Sequence, residues 1–327
     1  MTSKPGPRIG IVVPCCNEEK ILPLTAARLL EALGQLIREA LAGPGSLIYF
    51  VDDGSSDGTW DEISRLAEQH EQIAGIKLTR NFGHQYALYA GLMEAEGDAL
   101  VSLDADLQDD IGVIGDMLRE FLTGKDIVYG VRDDRASDTR FKRWSAAAHY
   151  WFADKLGIST VRNHADYRLM SRAAIRLLSR YHEANLYLRG IVPLLGLPSA
   201  EVTYRRTERL AGESKYSIGK MISLSLRGIT SFSIMPLRFI TAMGILVFII
   251  SLILGLWALH AALFREGAVP GWASTVIPIY LLGGLQLFAI GVAGEYIGKT
   301  YMEVKRRPLY LVESRCGGSK NVPDAPG

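Results

Sequence analysis

The stretch Asp104-Ala105-Asp106-Leu107-Gln108 follows an apolar run at residues 99–103 that has the character of a buried strand. Side chains two positions apart on a strand point to the same face, so Asp104 and Asp106 should reach one spot at its carboxyl end. Open α/β sheets bind ligands at that edge. Hard oxygen ligands placed this way suit Mg²⁺ or Mn²⁺ shared with a diphosphate. For an Asp-x-Asp pair taken alone, a solvated acidic turn is the simpler interpretation.

The flanking sequence predicts an α/β domain, because strand-like and helix-like segments alternate from residue 8 to about residue 130. Strands are expected at residues 9–13, 47–51, 74–78, 99–103 and 126–130, and helices at 18–42, 59–70 and 85–95. The short connections favour a mainly parallel sheet covered by helices. The chain has neither Gly-x-Gly-x-x-Gly nor the Walker-type Gly-x-x-x-x-Gly-Lys-Ser/Thr, so two common nucleotide-binding signatures are absent.

The composition excludes several classes of protein. With 36 basic and 35 acidic residues among 327, the net charge is +1, which argues against a nucleic-acid partner. The three cysteines, Cys15, Cys16 and Cys316, cannot build a disulfide framework and lack zinc-ligand spacing. Pro14 and Asn17 interrupt the first apolar run, so no secretory signal is expected and the N-terminal part should stay on the side where it is made.

The apolar residues are concentrated after residue 236, which predicts a membrane region. Residues 239–264 contain one ionisable side chain, His260, and residues 272–294 contain none, and each run is long enough to span a bilayer. Two buried helices of a soluble protein are the weaker alternative. Lys and Arg cluster before the first run and after the second, while the loop between them has only Arg265. The positive-inside rule therefore predicts a multi-pass protein of the inner (plasma) membrane, with the N-terminal domain and C-terminal tail cytoplasmic.

Two basic and aromatic segments, at residues 141–156 and 214–235, are candidates for amphipathic helices at the membrane surface, although core helices with a charged outer face would have the same pattern. These observations predict four regions. A cytoplasmic catalytic domain would span residues 1–213 and amphipathic juxtamembrane helices residues 214–236. Two transmembrane helices would span residues 237–298, and a cytoplasmic tail residues 299–327.

Polar clusters follow four of the predicted strands, at residues 14–19, 52–59, 104–108 and 130–132. In a parallel sheet these carboxyl ends converge on one edge, so the clusters should form one site. Ser56 or Asp57 could instead cap the helix after Gly58, but capping does not account for Asp52 and Asp53.

These motifs, with residues 80–85 (Arg-Asn-Phe-Gly-His-Gln) and 209–216 (Arg-Leu-Ala-Gly-Glu-Ser-Lys-Tyr), resemble the family 2 glycosyltransferases that act on polyprenyl phosphates. The resemblance covers nearly the whole chain, and the two C-terminal runs suit the bactoprenol glucosyltransferase branch in particular. It implies a GT-A fold, a Mg²⁺ or Mn²⁺ cofactor, and inverting transfer of a sugar from a nucleotide donor to a polyprenyl (undecaprenyl) phosphate.

The resemblance also implies roles for individual residues. The residues implied to bind the nucleotide are Pro14, Asn17, Glu18, Asp52, Asp53 and Asp104. The residues implied to bind the metal ion are Asp104, Asp106 and Gln108. The residues implied to bind the donor and acceptor phosphates are Arg132, Arg143, Arg209 and Lys215. The implied catalytic residues are Asp166, Arg209, Ser214 and Lys215. Asp110 departs from the family, which has proline there, and this should change loop stiffness rather than the ligands.

Because a lipid phosphate is already largely anionic near neutral pH, Asp166 is expected to position or polarise rather than to abstract a proton. UDP-glucose is the expected donor, with GDP-mannose or a UDP-aminosugar as alternatives. A processive polysaccharide synthase would need a Gln-x-x-Arg-Trp motif and more spans, and the sequence has neither. The remaining alternative is a non-catalytic membrane protein that binds or translocates lipid-linked sugars. The sequence is also compatible with a homo-oligomer.

Overall fold

The structure is a computed structural model that describes residues 6–132, 164–183, 186–204 and 272–318, with isolated positions between 240 and 253. The chain divides into two compact units. The first comprises Met1–Asp154, Ser159–Tyr216 and Arg307–Gly327, and the second Lys155–Ile158 and Ser217–Arg306.

The described elements of the first unit alternate strand and helix over most of their length. In chain order they are β1 (Ile9–Cys15), α1 (Leu22–Arg38), β2 (Leu47–Asp52), α2 (Thr59–Gln69), β3 (Ile73–Leu78), α3 (His84–Glu94), β4 (Ala99–Ser102), α4 (Val113–Leu122), β5 (Ile127–Arg132), β6 (His164–Ser171), α5 (Arg172–Leu178), α6 (Leu188–Leu194), β7 (Ser199–Tyr204) and β8 (Val312–Gly317). Helix α7 (Trp272–Lys305) belongs to the second unit.

The eight strands form one sheet in the order β7-β5-β6-β4-β1-β2-β3-β8. Strand β1 pairs in parallel with β2 and β4, β2 with β3, and β5 with β7. The predicted mostly parallel α/β sheet is therefore confirmed. Two antiparallel strands were not predicted: β6 lies between β4 and β5, and β8 lies at the edge beside β3.

The hydrophobic pattern explains how the helices cover this sheet. Every residue of β1 is buried, as expected for a central strand with helices on both faces. Helix α1 buries Leu22, Leu29 and Leu33 at helical spacing in the same core. Helix α3 approaches the sheet closely, because a Cβ at Gly91 would lie 2.7 Å from Val51 Cγ2. This close packing fixes the helix that begins at the candidate site.

Several predicted boundaries were wrong. Strand β1 continues through Pro14 to Cys15, and α1 begins at Leu22 rather than at residue 18. The fifth strand was expected to end at Gly130 with the polar cluster at its end, yet β5 extends through Arg132, which pairs with Tyr204 of β7.

The predicted C-terminal tail also contains a strand of the eight-stranded sheet. Strand β8 pairs with β3 from Leu78 to Ala74. Beside it, the Arg315 Nη2 atom lies 2.7 Å from Glu94 Oε2, and the Tyr310 hydroxyl donates to Glu94 Oε1 at 3.0 Å. Residues 307–327 are grouped with the first unit, and the segment predicted as a tail from residue 299 therefore includes a strand of the sheet.

Helix α7 of the second unit contains the second predicted span and exposes large apolar side chains, with Ile279, Ile290 and Ile297 each more than 60% exposed. Within the described residues, no helix has both the length and the apolar character to cross a membrane. Most of the first predicted span, at residues 239–264, lies outside the described residues, as do the amphipathic segments at 141–156 and 214–235.

Candidate active site

The candidate site lies where β4 ends beside β6. In the antiparallel register Ser102 of β4 is opposite Arg168 of β6, and continuing that register two residues brings Asp104 opposite Asp166. The Ser102 hydroxyl donates to the Asp166 carbonyl at 2.5 Å, which holds the two segments together at this point. The antiparallel strand therefore carries Asp166 to the edge where the Asp-x-Asp motif leaves the sheet.

The Asp166 carboxylate is buried and accepts hydrogen bonds from three side chains. Arg168 Nη2 donates to Oδ1 at 2.7 Å, and Gln85 Nε2 donates to Oδ2 at 3.0 Å. Arg189 binds both oxygens, with Nε 3.2 Å from Oδ1 and Nη2 3.0 Å from Oδ2. His84 Nε2 lies 3.5 Å from Asp166 Oδ2 and equally far from Asp104 Oδ1, so it bridges the two carboxylates.

These neighbouring side chains determine the protonation state of Asp166. Burial alone would raise the pKa of Asp166, but His84, Arg168 and Arg189 outweigh it and hold the pKa well below its usual range. The pKa of Asp104 is raised instead, because burial raises it more than His84 lowers it. An ionised carboxylate whose oxygens are already occupied is suited to position its neighbours rather than to accept a proton.

The N-terminus of α3 is held by Asp53. Its Oδ1 accepts from the Phe82 amide at 2.7 Å and its Oδ2 from the Gly83 amide at 2.9 Å. Gly83 has φ of +104°, a conformation that a side chain would strain, and it turns the chain into the helix. Asp53 thus fixes the start of the helix that carries His84 and Gln85. The nucleotide-binding role that the family resemblance implies for Asp53 stays a prediction.

The other residues predicted to bind the nucleotide lie at the ends of β1 and β2. Pro14 is in β1 opposite Val51. Asn17 Oδ1 accepts from the Ser56 amide at 2.8 Å, and the Glu18 amide donates to Thr59 Oγ1 at 2.9 Å, so the two loops are joined.

Asp52 is fully buried, with Oδ1 accepting from the Ser55 amide at 3.1 Å. Among the described residues nothing donates to Asp52 Oδ2, and a buried carboxylate oxygen of this kind calls for a ligand or water donor.

The predicted metal ligands follow β4 in a tight turn. Asp106 Oδ1 accepts from the Gln108 amide at 3.2 Å, and Leu107 between them has φ of +55°. The described residues contain no group of three or more His, Cys, Asp or Glu side chains arranged to hold a metal ion. Asp104 and Asp106 nevertheless fit an Mg²⁺-type ion, which is commonly held by one or two carboxylates together with substrate phosphates and water.

Arg132 lies in a separate cluster across β5 and β7. Its Nε donates to the Tyr204 hydroxyl at 3.2 Å, its Nη2 lies 3.4 Å from Asp109 Oδ1, and the Tyr204 hydroxyl donates to the same oxygen at 2.5 Å. Burial and the hydrogen bond to Asp109 raise the pKa of Tyr204. The Arg132 side chain is 23% exposed, so the predicted contact with a phosphate stays sterically possible and remains a prediction.

Four predicted site residues lie outside the described residues: Arg143, Arg209, Ser214 and Lys215. The structure adds five side chains for which the sequence predicts no role: His84, Gln85, Arg168, Arg189 and Tyr204. His84 and Gln85 end a stretch that carries the family resemblance, which was a usable signal. Arg189 has no comparable motif around it.

Comparison with known proteins identifies the family. The family model described as "Glycosyl transferase family 2" matches residues 10–182. The chain belongs to glycosyl transferase family 2. The expected resemblance is thereby confirmed, and the mostly parallel α/β sheet is the GT-A-like fold expected for this family.

Several curated relatives match nearly the whole chain. An uncharacterised glycosyltransferase of Bacillus subtilis (strain 168) is 49% identical, covering 94% of this chain and 91% of the relative. The "Bactoprenol glucosyl transferase" of Shigella phage SfX is 40% identical over 94% and 99%. The "Prophage bactoprenol glucosyl transferase homolog" of Escherichia coli (strain K12) is 39% identical over 94% and 98%.

Similarity to solved structures is more distant. Glucosyl-3-phosphoglycerate synthase from Mycobacterium tuberculosis, solved with Mn²⁺, UDP and phosphoglyceric acid, has a TM-score of 0.46 and 17% identity. The match covers 69% of this chain and 77% of that one.

Proposed function

We propose that this glycosyltransferase moves glucose from UDP-glucose to undecaprenyl phosphate at a membrane surface, with inversion at the anomeric carbon. The observation that carries the proposal is the 39–40% identity to proteins named bactoprenol glucosyl transferase over 94% of the chain. An inverting, single displacement would give a β-linked lipid phosphosugar from an α-linked donor.

The geometry of the candidate site supports a nucleotide sugar as donor. Asp52 Oδ2, to which no described residue donates, suits an N–H group of a nucleotide base, because burial makes an unpaired carboxylate oxygen costly. Asp104 and Asp106 would hold a divalent cation together with the diphosphate. When bound, Mg²⁺ or Mn²⁺ would neutralise the charge of the departing nucleotide.

The acceptor needs little help from a base, since its phosphate is already anionic. The role that we propose for Asp166 is to hold Arg189 and His84 beside Asp104, and Arg132 would add positive charge from the neighbouring cluster. These groups would stabilise the negative charge that moves from the acceptor phosphate to the leaving diphosphate.

A membrane location is part of the proposal. It is supported by the uncharged sequence at residues 239–264 and 272–294 and by the exposed isoleucines of α7, since exposed apolar surface of this kind favours a lipid or protein partner. Both runs would span the inner membrane, with the catalytic domain and C-terminus cytoplasmic and residues 141–156 and 214–235 at the interface.

The test is incubation of the detergent-extracted full chain with undecaprenyl phosphate, Mg²⁺ or Mn²⁺, and a panel of radiolabelled UDP-glucose, GDP-mannose and UDP-aminosugars. Label should enter the lipid fraction from UDP-glucose. Transfer from another donor would change the proposed sugar. No labelled lipid from any donor would refute the reaction itself.

An Asp106→Asn variant tests the role of the acidic motif. Loss of one carboxylate from the cation site should lower the rate of glucose transfer by at least about 100-fold, the scale for removing one electrostatic contact to a developing charge. Asp116→Asn is the matched control, because Asp116 is exposed on α4 and pairs with Arg119. Equal rates for Asp106→Asn and the wild type would rule out a catalytic role for this motif.

A further inference from the structure

The two arginines on Asp166 differ in their access to solvent. The Arg168 side chain is 1% exposed, and its Nη1 donates to the Leu188 carbonyl at 3.4 Å. The Arg189 side chain is 39% exposed and uses Nε and Nη2 on the carboxylate. Within the described part of the chain its third nitrogen, Nη1, makes no hydrogen bond. One guanidinium is therefore part of the core, and the other presents donors to the site.

Two guanidinium groups bind the single Asp166 carboxylate. Arg168 already matches its negative charge, so the positive charge of Arg189 is not needed to neutralise Asp166. That charge lies close enough to Asp104 to be stabilised by its carboxylate, so it borders the acidic motif. An ion pair serving stability alone would not need a second, partly exposed guanidinium, since exposed pairs contribute little.

The backbone beside Arg189 is held as firmly as its side chain. The Leu188 amide donates to Gln85 Oε1 at 3.1 Å, while the Leu188 carbonyl accepts from Arg168. Gln85 and Arg168 are the same side chains that bind Asp166. The guanidinium is thus pre-organised, and little side-chain entropy remains to be lost when it binds an anion.

We infer that Arg189 binds a phosphate oxygen during the reaction and that Asp166 is the residue that positions it. A planar guanidinium fixed on one edge and open on the other is well matched to a phosphate. The phosphate is either the diphosphate of the nucleotide or the monophosphate of the lipid, and this assignment rests on the proposed function.

The inference is tested by binding rather than turnover, with the full chain in detergent. Affinities of four probes are measured by equilibrium titration: UDP, uridine, undecaprenyl phosphate and undecaprenol. In Arg189→Gln, binding of one phosphate probe should weaken about 10- to 100-fold, the range for losing a hydrogen bond to a charged group. Binding of its phosphate-free partner should not change.

Two further variants separate positioning from folding. Asp166→Asn should weaken the same phosphate probe by a smaller factor, because Arg189 remains but is less firmly held. Arg119→Gln is the matched control, since that arginine is exposed on α4. Thermal unfolding without probes shows whether each variant is folded. Arg189→Lys, which keeps the charge and loses the planar fork, covers the case in which Arg189→Gln does not fold.

Weakened UDP binding assigns Arg189 to the donor, and weakened undecaprenyl phosphate binding assigns it to the acceptor. Unchanged affinities for both, or equal weakening of the phosphate and phosphate-free probes, would overturn the inference, as would a wild-type chain that binds neither phosphate. A wild-type chain that binds both probes but transfers no glucose would refute the proposed function and leave the Arg189 result intact.

Discussion

At the scale of single residues, Asp166 shows how neighbours determine what a carboxylate can do. Its sequence position suggested a place in the site, but not its partners, which come from α3, from β6 itself and from the start of α6. The contact between Asp166 and Gln85 joins residues 81 positions apart. Local pattern carries no information about such pairs, whereas the Asp-x-Asp motif is local and was recognised from sequence.

The lowered pKa of Asp166 predicts a pH-dependent contribution to stability. A group whose pKa is lowered by folding stabilises the native state fully above its unfolded value, about 3.9, and loses that contribution as the pH falls through the folded value. Asp166→Asn should therefore be less stable than wild type by about 3 kcal/mol at neutral pH, because Arg168 stays buried without its charge partner. The difference should shrink below about pH 4.

Urea unfolding of both full-length chains in detergent, from pH 7 to pH 2, measures this difference. Asp116→Asn provides the comparison for an exposed carboxylate. A stability difference between wild type and Asp166→Asn that stays constant over the whole range would contradict the ionised state assigned to Asp166.

At the scale of elements, the sequence predicted strands that are buried and apolar, and it missed those defined by pairing. Strands β1 to β5 have apolar or β-branched runs that stand out from their surroundings. Strand β8, Val-Glu-Ser-Arg-Cys-Gly, alternates half-buried and exposed residues at the sheet edge, and it follows a long helix. Its place is set by a partner more than 230 residues earlier, so only the folded chain reveals it.

The contact between β3 and β8 predicts an interaction between Gly75 and Cys316. A Cβ at Gly75 would lie 2.6 Å from Cys316 Sγ and 2.6 Å from Ile63 Cγ2. Gly75→Ala should lower the free energy of unfolding by about 1–3 kcal/mol through overpacking. In the Cys316→Ala background, where one of the two obstructing atoms is gone, the cost should be smaller.

A double-mutant cycle by urea denaturation gives the coupling between Gly75 and Cys316. Gly34→Ala is the control, because Gly34 lies within α1 and the nearest atom to its added Cβ would be 3.5 Å away. That variant should be neutral or slightly stabilising. Strict additivity of Gly75→Ala and Cys316→Ala would show that β8 does not pack on Gly75.

At the scale of the whole molecule, the proposed membrane anchoring predicts the behaviour of the chain in cell fractions. Two runs that span the hydrocarbon layer should keep the full chain in the membrane pellet after an alkaline carbonate wash, with release only by detergent. The variant Ile249→Arg/Leu285→Arg places one charge within each run, at about 2.5–3.5 kcal/mol apiece, and should reduce the pelleted fraction. Release of the wild-type chain by carbonate alone would refute the two spans.

The pairing of β8 with β3 has a consequence for any membrane topology of this chain. Hydrogen-bonded strands of one sheet cannot lie on opposite sides of a bilayer, so Val312–Gly317 must be on the same side as Ile73–Leu78. The segment that connects β7 to β8 must therefore cross an even number of times. With an odd number of crossings, β8 and β3 would lie on opposite sides of the bilayer and could not pair. The strand pairing thus requires an even number of crossings independently of the charge pattern of the loops, which predicts the same side for both ends.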